Sequence, residues 1–459
     1  MKPSQDTTPS PEVTTLSQVL AWQQSLLLWH ARLAGHFARP EPLARALRFV
    51  QGILSTLERK NGWQLAEQAR EATPYGMQRL LSAAVWDVDG VRDEVRTFVL
   101  EQLGRSPLTV AIDETGFLKR GRHSAGVGKQ HYGPTGDVRN CQVGVFLSLV
   151  TASGHTLIDR ELYLPTDWTS DPARSREAGI PPHVAFRTKP QLAQLMLDRL
   201  LHAQVPIGWV VGDSVYGSNP ELRAWVESHQ LPYVLAVACD EPVVVDLAGL
   251  GVRRLEVREL AAHLTPADWQ TLSMSQGSKG PRLYDWACLP IWHQGQDDGW
   301  HSVLLRRTLG PTPELTSYLV FAPPATPMQA KVSALGGRWR IEEDFENSKE
   351  VGLDHYEVRS YVGWYRHITL VMLALAFLTS LTLAARRSAS ALPAAPPPDD
   401  GRLSTDLCPL SVPEARRLLA RLLFPPPSST ALVLAWSGWR RRHQQQARLC
   451  HGRHRLKAG

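Results

Sequence analysis

The sequence predicts a mixed α/β protein with helical segments at both ends, and two observations carry that reading. From residue 107 to 163 the apolar residues gather into short β-rich runs bounded by turn residues. From 189 to 238, amphipathic helical patterns then alternate with apolar strand patterns. A hydrophobic content of 43% and a charged content of 20% over 459 residues describe an ordinary globular chain long enough for several domains.

Residues 1–14 are polar and Pro-rich and are expected to be disordered. Residues 15–104 read as a helical domain. Within it, ERKNGWQLAEQARE is one amphipathic segment, and Thr73-Pro74 opens a second helix, TPYGMQRLLSAAVWD. Two short tandem helices suit DNA binding and suit plain packing, with Trp63 and Trp86 as core. PLTVAIDETGF reads as a strand ending in an acidic turn, and CQVGVFLSLVTASGHTLIDRELYLP as a hairpin. A helix (189–203), a strand (207–213), a helix (219–230) and a strand (231–238) follow. Three strands, helix, strand, helix, strand is the order of a ribonuclease-H-like sheet, expected here over 105–239 and completed over 327–387. Residues 240–326, rich in strands and turns, read as a β-rich insertion interrupting that core.

ITLVMLALAFLTSLTLAA (368–385) reaches the lower limit of a membrane span. Its three Thr and one Ser, and its isolation, favour a buried core helix. Residues 388–408 read as a Pro/Ala-rich linker, and 409–459 as a basic helical segment for DNA binding or dimerisation. From 411 onward, ten Lys and Arg face one acid, a local charge of +9, whereas the rest of the chain carries −3. A near-neutral body with a basic end suggests a polyanionic partner, nucleic acid foremost. Five scattered cysteines without a CxxC pair, and no secretory leader pattern in the first thirty residues, fit a reducing cytoplasm.

Candidate chemistry rests on carboxylates. Asp113 in VAIDETGF and Asp213 in WVVGDSVYG each sit where an apolar strand meets a Gly-bearing turn, at the carboxyl end where α/β sheets build sites. In RWRIEEDFENSK, Arg338, Glu342, Glu346 and Lys349 are spaced four, four and three apart, along one helical face. Such a face is either a solvated run of i,i+4 ion pairs or one turned toward a metal and an anion. Three converging carboxylates repel one another unless divalent cations neutralise them. Oxygen-only ligands suit two Mg²⁺ or Mn²⁺ ions clamping an in-line displacement at phosphorus. Glu114 follows Asp113 on a strand, so the two face opposite ways. Glu343 lies about 100° around the helix from Glu342, off the Arg338–Lys349 face. Glu346 shares the Arg338–Lys349 face and reads as a salt-bridge partner, the alternative being a base beside the metal ligands.

Several strings, DETGFLKRGRHSAGVGKQHYG, DWTSDPARSREAGIP, GDSVYG, RWRIEEDFENSKEVGLDHYEVRSYVGWYRHITL and WSGWRRRHQ, resemble the DDE transposases of bacterial insertion sequences, especially the IS seven-hundred-and-one group. The likeness spans nearly the whole chain. Related cut-and-paste transposases carry Tyr-x2-Arg-x3-Glu-x6-Lys on the acidic helix, matched here at Arg338, Glu342 and Lys349 but with Leu335 in place of the tyrosine. The resemblance implies Asp113, Asp213 and Glu342 as the catalytic, metal-binding triad, with Arg338 and Lys349 gripping transposon-end phosphates. Lys119, Arg359, Arg440, Arg441 and Arg442 are further candidate DNA contacts. It also implies binding of terminal inverted repeats, end cleavage and 3′-OH transfer to target DNA, by a homodimer at the bacterial nucleoid. The alternative is a catalytically idle DNA-binding descendant.

Overall fold

In the computed structural model, the described residues are 14–104, 106–247, 250–277, 280–390, 408–426 and 429–458. The expected disordered start (1–14) and the Pro-rich linker (388–408) fall almost wholly outside them.

Among the described residues there are twelve strands, β1 (Leu108–Leu118), β2 (Gly128–Tyr132), β3 (Asp137–Val150), β4 (His155–Tyr163), β5 (Ile207–Gly212), β6 (Tyr233–Val237), β7 (Pro242–Leu247), β8 (Gly251–Glu256), β9 (Gln270–Gly277), β10 (Gly280–Pro290), β11 (His301–Arg307) and β12 (Leu315–Phe321), with β2 an addition to the three expected before helix Lys189–His202. Ten form one mixed sheet in the order β2-β3-β1-β5-β6-β12-β11-β10-β9, with β4 also on β3. β1 runs antiparallel to β3 and parallel to β5, and β5 parallel to β6. This large mixed sheet is consistent with a ribonuclease-H-like fold. Helix Lys189–His202, opened by a Thr188/Gln191 capping box, and helix Pro220–Ser228, capped by Asn219, provide the connections between the parallel strands.

Residues 240–326, expected as a β-rich insertion, are strand-rich, and most of their strands continue the central sheet. β7 and β8 form a separate two-stranded sheet, but β12 pairs antiparallel with β6 and β9–β11 continue outward from it. A bare β6 edge would leave backbone donors and acceptors unpaired; β12 satisfies them, so these strands extend the core sheet.

The chain divides into a sheet unit, Val99–Glu346, and a helical unit made of Met1–Phe98 with Asn347–Gly459. The N-terminal helices and the basic C-terminal helices, expected as separate domains, thus share one unit. The cause is helix Tyr361–Ser390, which is buried on all sides from Gly363 to Leu383. A helix apolar all round needs cover on every face, and helices Pro40–Leu54, Tyr75–Leu81 and Val412–Leu422 supply it. Trp86 is buried there as expected, whereas Trp63 is half-buried against Trp439. The tandem helices are shorter than predicted. Asn61 caps Gly62–Gln68, and the second helix runs only Tyr75–Leu81, with Pro74 rather than Thr73 at its N-cap.

The C-terminal helix Thr430–Ala458 is fastened by Trp436, 1% exposed, whose indole donates to the Glu71 carbonyl at 2.9 Å. Trp436→Ala is expected to cost about 3–5 kcal/mol, the usual range for emptying an aromatic core site, read as an earlier thermal or urea transition.

Candidate active site

The site is set by strand register. β1 and β5 pair as Val110↔Val210, Ala111↔Val211 and Ile112↔Gly212. The next residues are Asp113 and Asp213. Residues in step on adjacent parallel strands project from the same face, with backbones about 4.8 Å apart, so the two carboxylates emerge side by side. The chain turns just after Asp213 because its side chain accepts the Val215 N–H at 2.9 Å and starts the single turn Ser214–Gly217. Gly217 packs that turn onto β6, where a Cβ would run into the Ala236 carbonyl.

The acidic helix Arg338–Glu350 lies on the same face. Thr109, Ala111 and Asp113 alternate onto one side of β1, opposite Val150, Ser148 and Phe146 of β3. A Cβ on Gly337, just before the helix, would meet Thr109 at 3.1 Å and Val150 at 3.5 Å. Phe345 meets the Phe146 ring edge-on at 5.4 Å. Asp344, 1% exposed, accepts from Ser148 Oγ at 2.5 Å and pairs with His155 Nδ1 at 2.9 Å. Ile341, Asp344 and Phe345 face inward, which leaves Arg338 and Glu342 at the margin of the buried stripe, 25% and 34% exposed.

Glu342 pairs with Arg338 at 3.1 Å, and the Arg338 guanidinium also acts on Asp113 and Asp213, drawing both carboxyls down. That pull is outweighed. Burial, then the charges of Asp213 and Glu114, push the Asp113 carboxyl up to about 7. Burial and Glu114 likewise raise Asp213. Two neighbouring buried carboxylates, Asp113 and Asp213, with repulsion that Arg338 does not cancel, suit a divalent cation of the Mg²⁺ or Mn²⁺ type. Glu342 is held by Arg338, and among the described residues the three carboxylates are not gathered within 4.8 Å of one another as a ligand group.

The neighbouring acids are otherwise engaged. Glu114 points to the opposite face, bonded by Lys189 Nζ at 2.5 Å and Tyr216 Oη at 2.6 Å. Glu343 is held down to about 2 by hydrogen bonds from His155 and then Arg340. Burial alone would lower His155, but Asp344 and then Glu343 push it up to about 9. Glu346 is exposed and makes no ion pair among the described residues, so the expected salt bridge is absent.

Lys189, Tyr216, His155, Ser148 and Asp344 were not singled out from the sequence. Only Lys189 carried a signal, as a cation in the first turn of a helix, where the dipole disfavours one.

The other candidates scatter. Lys349 is half-buried two turns on along the acidic helix, in the portion assigned to the helical unit. Leu335 is buried, an apolar contact where the related signature has a phenol. Lys119 ends the β1 run with its backbone bonded to Asn140. The loop beyond it carries Arg120, Arg122 and His123, which with Lys129 and Arg174 line a cavity of about 880 Å³. Arg359 is exposed in the helical unit. Of the C-terminal arginines, Arg440 pairs with Glu67 at 2.6 Å, while Arg441 and Arg442 are exposed.

The DDE superfamily endonuclease model matches residues 32–281, more than half of the sequence. The chain belongs to the DDE superfamily of endonucleases. Its particular likeness is to insertion-sequence transposases of the IS701 type: a transposase DDE domain matches residues 187–377. A protein described as "Probable transposase for insertion sequence element IS701" from Microchaete diplosiphon is 26% identical over 195 residues, which span 42% of this chain and 48% of that one, about half the relative's length. Among solved structures, the piggyBac transposase synaptic complex with hairpin DNA aligns over 95% of this chain and 79% of that one, with a TM-score of 0.38 and 10% identity.

An unfolded Asp carboxyl titrates near 4, against about 7 for Asp113. Between about pH 4 and 7 the folded chain therefore holds a proton that the unfolded chain has lost, and stability falls as pH rises through that window. In metal-free buffer, Asp113→Asn is expected to raise the melting temperature by about 1–4 °C at pH 8 and to give no gain at pH 4. A series of thermal melts across pH checks this.

Proposed function

We propose that the chain is an insertion-sequence transposase that binds the element's terminal inverted repeats, cleaves the phosphodiester at each end and joins the freed 3′-OH ends to target DNA. The observation that carries this reading is the in-register emergence of Asp113 and Asp213 on adjacent parallel strands, facing the helix that bears Arg338 and Glu342. Two bound Mg²⁺ or Mn²⁺ ions would supply nucleophile activation and neutralise charge developing at phosphorus.

The chain's own groups do the rest. Asp113 and Asp213, fixed by their strands, define where the scissile phosphate sits. Arg338, when it leaves Glu342, offers a planar fork to a phosphate. Lys349 on the same helix is a second cation for the DNA backbone. In the sheet unit the basic loop after β1 offers further phosphate contacts, and in the helical unit exposed Arg441 and Arg442 do. Two element ends enter one joining event, which favours a homodimer on paired ends.

Two measurements test the reading. Asp113→Asn and Glu342→Gln should each lower metal-dependent cleavage of an end-bearing DNA by a factor on the order of 10³, the scale of losing nucleophile activation or charge stabilisation, while leaving DNA affinity within a few-fold. Cleavage equal to that of the parent chain sinks the assignment. Removing Arg441 and Arg442 together should weaken binding to any sequence and flatten the slope of log affinity against log salt by about one for each phosphate no longer neutralised.

A further inference from the structure

A second group of ligand-type side chains sits at the opposite edge of the central sheet. Asp113 and Asp213 stand where the parallel pairing of β1 with β5 ends, at the carboxyl end of β5 and mid-strand in β1. Tyr233 and His301 instead begin β6 and β11, which run in the same sense, both antiparallel to the intervening β12. There Glu227, from helix Pro220–Ser228, and His293 and His301 bring one ligand atom each to within 4.8 Å of one another.

His301 is 7% exposed, and its Nε2 is buried without a hydrogen-bond partner, standing 3.4 Å from Glu227 Oε1. Two ligands about 2.0–2.1 Å from one tetrahedral ion stand roughly 3.4 Å apart. The surrounding groups already orient both. Asp298 Oδ2 lies 2.7 Å from His301 Nδ1, and Asp298 is itself fixed by the Trp300 and His301 backbone N–H groups at 2.9 and 3.1 Å. That is the carboxylate–histidine arrangement that frees Nε2 for a metal. The Tyr233 hydroxyl donates to Glu227 at 2.7 Å. A cavity of about 450 Å³, lined also by Arg223 and Glu241, opens beside the group and has room for a water ligand.

We propose that Glu227, His293 and His301 bind one divalent cation of zinc type, separate from the Mg²⁺-type site at the other edge. The mixed nitrogen and oxygen donors suit zinc better than magnesium. The His293 and His301 rings are stacked 4.0 Å apart and 7° from parallel. Parallel rings cannot aim in-plane lone pairs at one ion, so His293 turns about its Cβ–Cγ bond on binding. It has the freedom to do so, being half-exposed on a turn closed by paired backbone bonds to Gln296, with Gln294 and Gly295 at positive φ. The ion would tie this turn to helix Pro220–Ser228.

The test uses the full chain carrying Asp113→Asn and Asp213→Asn, so that those two carboxylates do not compete, stripped with chelator and titrated with Co²⁺ and Zn²⁺. One equivalent of Co²⁺ should give visible absorption typical of tetrahedral nitrogen and oxygen ligation, and Zn²⁺ should displace it. In that background His293→Ala or Glu227→Gln should weaken binding at least about 100-fold, and Asp298→Asn about 10–100-fold. The half-exposed position of His293 keeps its variant folded, which circular dichroism verifies. No absorption band, or uptake unchanged in both ligand variants, overturns the proposal and leaves His301 and Glu227 as a plain imidazolium–carboxylate contact.

Discussion

The acidic face depends on the one-to-one pairing of β1 with β5. Because side chains alternate with a period of two, only an in-step register sets Asp113 and Asp213 on one face, and a slip of one residue would send either to the other side. The arrangement costs stability, since two neighbouring carboxylates in a partly buried place oppose each other. Stable hydrophobic pairing beneath them absorbs that cost: Val110, Ala111, Ile112, Val210 and Val211 are all fully buried. The strands hold the acids where, left to themselves, they would move apart.

Around that pair the neighbouring charges are partitioned. Glu114 is drawn to the far face by Lys189 and Tyr216, and Glu343 is claimed by His155 and Arg340. Each of two adjacent acid pairs, 113/114 and 342/343, thus has one member anchored elsewhere and one left available. Arg338 is shared, close enough to Glu342 for an ion pair and to both aspartates for its charge to be felt. The i,i+4 spacing on the acidic helix makes the ion pair expected of a solvated face, and the same Arg338 also reaches the Asp113 and Asp213 carboxylates.

Much of this was legible beforehand because it follows from local pattern. Apolar runs leading into Asp located β1 and β5, and helical spacing separated Glu342 from Glu343. No turn follows Asp113, however: β1 continues through Glu114 and Gly116 to Leu118, paired with β3, and only its parallel pairing with β5 stops there. What pattern could not give was long-range pairing. That β12 would close the β6 edge depends on partners 80 to 88 residues apart in sequence. The joining of N- and C-terminal helices in one unit follows from the burial of helix Tyr361–Ser390, a tertiary demand rather than a local preference. Ser148 and His155 gave no sign of their role, since a serine in a strand and a histidine at a hairpin turn have many ordinary uses.

The Asp344 anchorage has a consequence for how Glu342 can be lost. Its bearing on the sheet is set two residues downstream, by a carboxylate locked to Ser148 and His155 beneath the helix. Rolling the helix by one residue would expose that carboxylate's partners and bury a bare charge, so the helix has a single permitted rotational setting. Damage at position 344 would thus disturb the proposed site while Asp113, Asp213 and Glu342 all remained in the sequence, a lesion invisible to anyone inspecting only those three acids.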